Sequence, residues 1–258
     1  MVSVVERPTA RPQSARTGQR RRGRSSPIGD LVAGLVARAP TFVAEGPAAC
    51  VGHSRASAWR AAFGYLAAVS VPLFFFGAMS PYSWFAAERI RQLIPDAQWR
   101  PVFAGALFKA NGRSSWGLDD RRGAGLVDCE SRAATHDLGP IRWPTPWPTS
   151  DILVARAMAF ATTQDLLEPF ALAAMRLAFC EGGELGDLST VQRAAERVGI
   201  DPEQLAQAVQ TPAVKDAVRA ANDQALALGV FGVPTVVVND ELFWGDDRLE
   251  QAAIAPRA

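Results

Sequence analysis

The hydrophobic pattern of residues 71–105 predicts a strand, a helix and a second strand. Residues 71–79, VPLFFFGAM, form an apolar run that is rich in aromatic residues and lies between chain breakers, which is typical of a buried strand. Residues 83–94, SWFAAERIRQLI, repeat apolar positions at helical spacing. Residues 98–105, QWRPVFAG, have strand character again, and a helical connection makes the two strands parallel. The pattern therefore predicts a βαβ unit.

From residue 150 to about 229 the pattern is helical throughout. Ser150 and the pair Asp201-Pro202 are helix-start signals, while Gly182 and Gly199 are helix-stop signals. The pattern predicts five amphipathic helices. Their sequences are DILVARAMAFAT, LLEPFALAAMRLAFCEGG, STVQRAAERVGI, DPEQLAQAV and PAVKDAVRAANDQALALG.

In the last 29 residues the hydrophobic pattern changes from helical spacing to that of strands. Residues 230–244, VFGVPTVVVNDELFW, predict a strand, a turn at Asn239-Asp240 and a second strand. GDDRLEQAAI then predicts a final helix with acidic residues at its N-terminus, where the helix dipole favours them. Phe243 and Trp244 are expected in the core. The predicted order is βαβ, a helical block, then ββα.

Two segments lack a clear pattern. Residues 1–67 contain the Arg-, Ser- and Pro-rich stretch RPTARPQSARTGQRRRGRSSP, and we predict a disordered basic extension there. Its other interpretations are a targeting segment or a start codon placed too far upstream. Residues 106–148 are predicted to be loop-rich. The predicted domain therefore covers residues 68–258, with a helical insertion at about 149–229.

Composition excludes several classes of protein. The net charge of +1 argues against a nucleic-acid-binding protein, and 48% hydrophobic residues provide a sizeable core. Three cysteines without CxxC or ligand spacing predict no metal site and favour a reducing compartment, the cytoplasm. Residues 61–79 carry no charge, but Pro72 and two glycines argue against a membrane-spanning helix.

The βαβ, helical block, ββα order resembles a thioredoxin fold of the DsbA-like type, which is an α/β fold with an inserted helical subdomain. Three motifs in sequence order make the resemblance more specific: SPYS after the first strand, GVFGVPT, and FWGDDRL. With them the chain resembles the 2-hydroxychromene-2-carboxylate isomerase family, which is close to kappa-class glutathione transferases. The matching stretches cover about residues 70–258.

The resemblance implies a glutathione site. Ser80, the first serine of SPYS, matches the family serine that activates the thiol of bound glutathione. A serine at a helix N-terminus suits that role, because free N–H groups and the helix dipole stabilise a thiolate. Local sequence alone favours a plain N-cap with Pro81 in the first helical turn, and the downstream motifs favour the family role.

The remaining site residues are also implied by the resemblance. Val233 matches the position whose backbone pairs with the cysteinyl group, and Pro234 matches the family's cis-proline. Asp247 and Arg248 match a pair that holds the γ-glutamyl end. Lys109 matches a lysine near the glycyl end or the substrate carboxylate.

The implied activity is a glutathione-dependent isomerase or transferase that acts on a small aromatic or conjugated acid. Arg113 departs from the related pattern, in which Asn is common, so the substrate can differ while the thiol chemistry is kept. The Ala, Arg and Gly bias of the sequence leaves open a low-molecular-weight thiol other than glutathione. A thiol–disulfide oxidoreductase and an inactive binding module remain as alternatives, although Ser80 and Ser83 occupy the CxxC positions. Members of the family are commonly dimers, so a homodimer is compatible with the resemblance.

Overall fold

The computed structural model describes residues 71–257. The predicted extension over residues 1–67 lies outside this part of the chain. Among the described residues, no helix has the length and apolar character that crossing a membrane requires.

A four-stranded mixed sheet organises the described residues. Its order is β2-β1-β3-β4; β1 runs parallel to β2 and antiparallel to β3, and β3 pairs antiparallel with β4. The register places Phe74 between Trp99 and Val236. The strands are β1 (Leu73–Phe76), β2 (Gln98–Pro101), β3 (Thr235–Val238) and β4 (Glu241–Trp244).

Nine helices accompany the sheet within residues 71–257. They are α1 (Pro81–Leu93), α2 (Ala104–Ala110), α3 (Arg122–Thr135), α4 (Ile152–Thr162), α5 (Leu167–Glu181), α6 (Leu188–Arg197), α7 (Pro202–Ala208), α8 (Pro212–Ala227) and α9 (Leu249–Ile254). Two short 3₁₀ turns, Trp116–Leu118 and Asp246–Arg248, precede α3 and α9.

The first strand is buried on both of its faces, which explains its unbroken apolar sequence. Phe74 and Phe76 stack on one face with the Trp99 ring edge-on against both. Phe75 lies on the other face, in a smaller cluster with residues of α2 and α8. Because α1, α4 and α5 contribute to the larger cluster, both faces of the sheet are covered.

The predicted strand over residues 98–105 is too long. The strand ends at Pro101, and α2 begins at Ala104. The side chain of Asn222, on α8, accepts from the backbone N–H of Phe103 at 3.0 Å and donates to its carbonyl at 2.9 Å. This tertiary contact holds Phe103 at the strand-to-helix turn, which local sequence could not indicate.

The prediction of a loop-rich segment over residues 106–148 is wrong for much of its length. It contains most of α2 and the whole of α3. Gly123 and Gly125 weaken the helical signal of α3, since glycine is a poor helix former. A Cβ at Gly125 would lie 2.3 Å from the Trp116 ring. Gly125 therefore weakens the helical signal of the sequence but allows α3 to pack closely against the Trp116 ring.

The helical pattern from residue 150 onward is confirmed by five helices, α4 to α8. Asp201 caps α7 by accepting from the N–H groups of Glu203 and Gln204. Gly182 ends α5 in the left-handed region at φ 74°, which suits glycine. The strand–turn–strand prediction for the end of the chain is confirmed as well, with positive φ at Asn239 and Asp240.

Candidate active site at the start of α1

Ser80 is the N-cap of α1, as its sequence predicts. Its Oγ accepts from the backbone N–H of Ser83 at 3.3 Å, and Pro81 occupies the first helical turn. The Tyr82 N–H donates to no group among the described residues. The hydroxyl proton of Ser80 and the Tyr82 amide are therefore available, at the positive end of the helix dipole, to a negatively charged atom.

Val233 and Pro234 face this helix start from the loop before β3. The peptide bond between them is cis, as the resemblance implies. The backbone N–H and carbonyl of Val233 form no hydrogen bond with the described part of the chain. An extended ligand could pair with these two groups as an added strand does.

A cavity of about 890 Å³ joins these features. That volume lies in the range of small-molecule sites. Ser80, Lys109, Val233, Pro234 and Asp247 all line it, so five of the six predicted site residues meet at one place. Arg248 is exposed and is not among the lining residues, so its predicted role stays a prediction.

Arg132, on α3, is the guanidinium nearest to Asp247. Its Nη1 lies 4.0 Å from Asp247 Oδ1 and 2.9 Å from Oδ1 of Asp246. Asp246 is buried, with 2% of its side chain exposed, and burial raises its pKa while Arg132 opposes that rise. Arg89 donates to the Asp246 carbonyl, and His136 Nε2 lies 3.9 Å from Asp246 Oδ2. This charge network fixes the turn that presents Asp247.

One wall of the cavity is aromatic. The rings of Tyr82 and Trp116 lie 6.0 Å apart, and Trp116 lies 5.0 Å from Trp147. The Trp147 indole donates to the Met79 carbonyl at 3.2 Å, one residue before Ser80. An apolar surface of tilted aromatic rings therefore adjoins the N-terminus of α1 and suits an aromatic or conjugated ligand.

Arg113 and Trp244 also line the cavity. The Arg113 guanidinium lies 4.9 Å from the Trp244 ring centroid and 5.3 Å from that of Phe231. The prediction that Trp244 belongs to the core is wrong, because it is 43% exposed and lines the cavity. The prediction for Phe243 is confirmed, because it is buried. Successive side chains of a strand point to opposite faces of the sheet, so Phe243 and Trp244 have different surroundings.

Asp151 is a buried carboxyl in the cavity lining, just before α4. Its Oδ2 accepts from the Ala104 N–H at 3.3 Å. Burial raises its pKa to about 6, and backbone N–H groups, including that of Gly105, partly oppose the rise. It forms no ion pair among the described residues. Such a carboxyl can gain or lose a proton near neutral pH.

Replacing Asp151 with asparagine is expected to stabilise the protein at neutral pH. The raised pKa means that the folded state resists deprotonation, so stability falls as pH rises from 3.8 to about 6. Asparagine keeps a hydrogen-bond acceptor and has no such cost. The gain in unfolding free energy should approach about 3 kcal/mol at pH 7.5 and vanish below pH 4. Denaturant titrations at both pH values measure it; an equal effect at both would contradict the ionisation account.

Neither described cysteine has the character of a reactive thiol. Cys129 is fully buried, and burial raises its pKa to about 12. Burial also raises the pKa of Cys180. Neither lines the cavity. Within residues 71–257 no group of three or more His, Cys, Asp and Glu side chains is arranged to hold a metal ion.

Sequence reasoning missed Arg132, Asp151 and Trp147 as cavity residues. Arg132 lies in the segment that was predicted to be loop-rich, and Asp151 and Trp147 lie at and just before the start of the helical block. A signal was available for α3, where apolar residues recur at helical spacing around Cys129 and Ala133, both buried. No local signal distinguishes Asp151 from an ordinary residue at a helix start.

Sequence comparison relates the chain to known enzymes. Residues 73–255 match the model of the DSBA-like thioredoxin domain family. The chain is 31% identical over 186 residues to 2-hydroxychromene-2-carboxylate isomerase of Sphingobium xenophagum, covering 69% of this chain and 93% of that protein. It is 26% identical over 200 residues to human glutathione S-transferase kappa 1, covering 69% and 87%.

Comparison of structures supports the same fold. A 2-hydroxychromene-2-carboxylate isomerase structure superposes with a TM-score of 0.63 at 20% identity, covering 70% of this chain and 91% of that one. A probable DsbA oxidoreductase from Streptomyces coelicolor superposes with a TM-score of 0.57 at 19% identity, covering 70% and 87%. At these identities the two likenesses establish the thioredoxin-like fold with its helical insertion.

Proposed function

The chain belongs to the DSBA-like thioredoxin domain family, within the group that includes 2-hydroxychromene-2-carboxylate isomerase and kappa-class glutathione transferase, and we propose that it is a glutathione-dependent isomerase or transferase. Its substrate in this proposal is a small aromatic or conjugated acid. The curated relatives are an isomerase and a transferase. We also propose that the protein is cytoplasmic and that it forms a homodimer.

The observation that carries the proposal is the Ser80 hydroxyl at the N-terminus of α1, open to a cavity that Val233 also lines. A thiolate needs a hydrogen-bond donor and a positive dipole, which Ser80 and the Tyr82 N–H provide. The two described cysteines are unsuited to nucleophilic attack, and in this proposal the thiol comes from a bound molecule.

The residues present fit glutathione. Val233 offers an unpaired N–H and carbonyl to the cysteinyl unit, as the added strand of a sheet would use them. Asp247, beside Arg132, can accept the γ-glutamyl ammonium while the guanidinium attracts the neighbouring carboxylate. Lys109 lines the cavity and can attract the glycyl or substrate carboxylate. When bound, glutathione supplies the nucleophilic sulfur.

The charges of the cavity favour an acidic substrate. Lys109, Arg113, Arg121 and Arg132 line it, against three aspartates. Asp151 and Asp246 are buried, so the accessible surface is the more positive part. The Trp116 and Trp147 rings, tilted to each other, add an apolar aromatic surface. Together they suit a planar ring that bears a carboxylate.

A thiol–disulfide oxidoreductase is the weaker candidate. That chemistry needs a protein thiolate at the start of α1, where this chain carries Ser80 and the fully buried Ser83. At 19% identity the likeness to the Streptomyces coelicolor structure shows the fold alone, and the match to the DSBA-like family does not supply the missing protein thiol. An inactive binding module would retain the cavity and bind a ligand without ionising its thiol.

Glutathione is expected to quench the tryptophan fluorescence of the protein, because Trp116, Trp147 and Trp244 line the cavity. Binding should coincide with thiolate absorbance near neutral pH, since Ser80 and the helix dipole lower the pKa of the bound thiol. Cysteinylglycine, which lacks the γ-glutamyl unit, should bind at least about 10-fold more weakly, the loss expected for one charge-assisted contact. Titrations of both ligands measure this.

Asp247→Ala is expected to remove the preference for glutathione over cysteinylglycine. Asp223→Ala, an exposed aspartate on α8, serves as the matched control and should keep it. Binding without thiolate would favour the inactive binding module. No binding of glutathione, or equal affinities for both ligands, would overturn the glutathione assignment.

A further inference from the structure

Asp151 stands close to the start of α1 although it belongs to a different part of the chain. A Cβ on residue 77 would lie 3.2 Å from Asp151 Oδ2 and 3.6 Å from Val233 Cγ2. Gly77 is linked to the N-cap, since its carbonyl accepts from the Ser80 N–H at 3.1 Å. The carboxyl therefore sits where the turn before α1, the start of α2 and the cis-proline loop meet.

The surroundings of Asp151 differ from those of a structural carboxylate. It has 5% exposure, it lines the cavity, and no cation pairs with it among the described residues. Its carboxyl accepts from backbone N–H groups, those of Ala104 and Gly105 at the start of α2 and its own. An unpaired carboxylate is costly to bury. Such a group in a cavity lining is a candidate for taking or giving a proton.

We propose that Asp151 accepts the proton of the bound thiol, so that the carboxyl and the thiol share one proton within the site. In this step the S–H bond breaks, its electron pair stays on sulfur, and the proton moves to the Asp151 carboxylate. The reverse transfer restores the thiol when the ligand leaves. No oxidant or reductant is needed. The inference rests on the proposed function and adds Asp151 to Ser80 as a residue that acts on the bound thiol.

Electrostatics make one shared proton the stable state near pH 7. Asp151, with its pKa raised to about 6, is mostly ionised in the free protein and so can accept. A thiolate next to it raises the carboxyl pKa further, because like charges disfavour each other. The other charged side chains in the lining are Lys109, Arg113, Arg121, Arg132, Asp246 and Asp247. None of them forms a hydrogen bond or ion pair with Asp151 in the described chain.

The measurement is the number of protons released per thiolate formed when glutathione binds. Thiolate is followed by its ultraviolet absorbance, and proton release by calorimetry in two buffers of different ionisation enthalpy. The full-length wild-type protein should release close to zero protons per thiolate at pH 7. Asp151→Asn should release close to one, because its proton goes to the solvent.

Two further variants distinguish the loss of the carboxyl group from a general effect of substitution on folding. Asp151→Ser retains a hydrogen-bond acceptor and should also release close to one proton per thiolate. Asp201→Asn, which changes an exposed aspartate at the N-cap of α7, should behave as wild type. Each variant is measured at the pH where half of its bound thiol is ionised, so a shifted midpoint does not affect the ratio.

The outcomes separate the two proposals. A wild-type ratio near one, or the same ratio in wild type and Asp151→Asn, overturns the role of Asp151 and leaves the glutathione site intact. Absence of thiolate in the wild-type protein up to pH 9 overturns the proposed function and this inference together. A ratio near zero in wild type and near one in both Asp151 variants supports it.

Discussion

Replacing Ser80 with alanine is expected to lower the acid ionisation constant of the bound glutathione thiol by about 10- to 100-fold, and with it the thiolate content at pH 7. The lost interaction is a hydrogen bond to a charged atom, which contributes about 1.5–3 kcal/mol. Affinity for glutathione should change little, because Val233 and Asp247 contact other parts of the ligand. Thiolate absorbance of the complex against pH measures the effect.

Alanine at position 80 also removes an N-cap, since Ser80 Oγ accepts from the Ser83 N–H. That loss costs about 1 kcal/mol of stability. Ser80→Gly is the better structural control, because glycine is tolerated at N-caps. Ser80→Thr retains the hydroxyl and should restore most of the thiolate. Ser114→Ala, in the same cavity lining, should leave it unchanged. Wild-type thiolate in both Ser80→Ala and Ser80→Gly would refute the assignment.

Replacing Arg132 with methionine is expected to destabilise the protein by about 3 kcal/mol at pH 8, because it leaves the buried carboxylate of Asp246 without its ion-pair partner. For the described domain this corresponds to a fall of about 10 °C in melting temperature. Burial already raises the pKa of Asp246, and the charge of Arg132 is the largest effect that lowers it. Without Arg132 that pKa rises further.

The sign of the pH dependence follows from the direction of that shift. A carboxyl with a raised folded-state pKa loses stability as pH rises from the unfolded value through the folded value. The loss of unfolding free energy caused by Arg132→Met should therefore be smaller at pH 5 than at pH 8. Adding Asp246→Asn should recover part of the loss at pH 8, because no charge is then buried without a partner.

Arg219→Met is the matched control, since Arg219 forms an exposed pair with Asp216 on α8. Exposed ion pairs contribute about 0–1 kcal/mol, so this variant should be nearly neutral at both pH values. Thermal and denaturant unfolding of the four proteins provide the comparison. An Arg132→Met deficit that is independent of pH, or no larger than that of Arg219→Met, would contradict the ion-pair account.

The order of strands and long helices could be predicted from the sequence because it depends on local periodicity. The run around Phe75 is continuous since both of its faces are covered, and the residues of α4 to α8 repeat at helical spacing. Ser80 followed by Pro81 defines the start of α1 by capping chemistry alone. The positions of Val233 and Pro234 in the cavity followed from the resemblance.

The errors lie where a distant residue decides the local structure. Just beyond the second strand, Asn222, over a hundred positions later, binds both backbone groups of Phe103, so the turn into α2 depends on a tertiary contact. Helix α3 was missed because Gly125, unfavourable in an isolated helix, is required by the Trp116 ring packed against it. Trp244 alternates with Phe243 along β4, but only the fold decides which of them meets the cavity.

The sequence by itself therefore determined the strand and helix order and the hydroxyl at the start of α1, because periodicity, caps and turns act over a few residues. Only the tertiary structure decided what surrounds that hydroxyl. Arg132 on α3, Trp147 in the following loop and Asp151 before α4 reach the cavity through packing against α1 and the sheet. The burial that raises the pKa of Asp151, and the pairing that opposes the rise at Asp246, exist only once those segments meet.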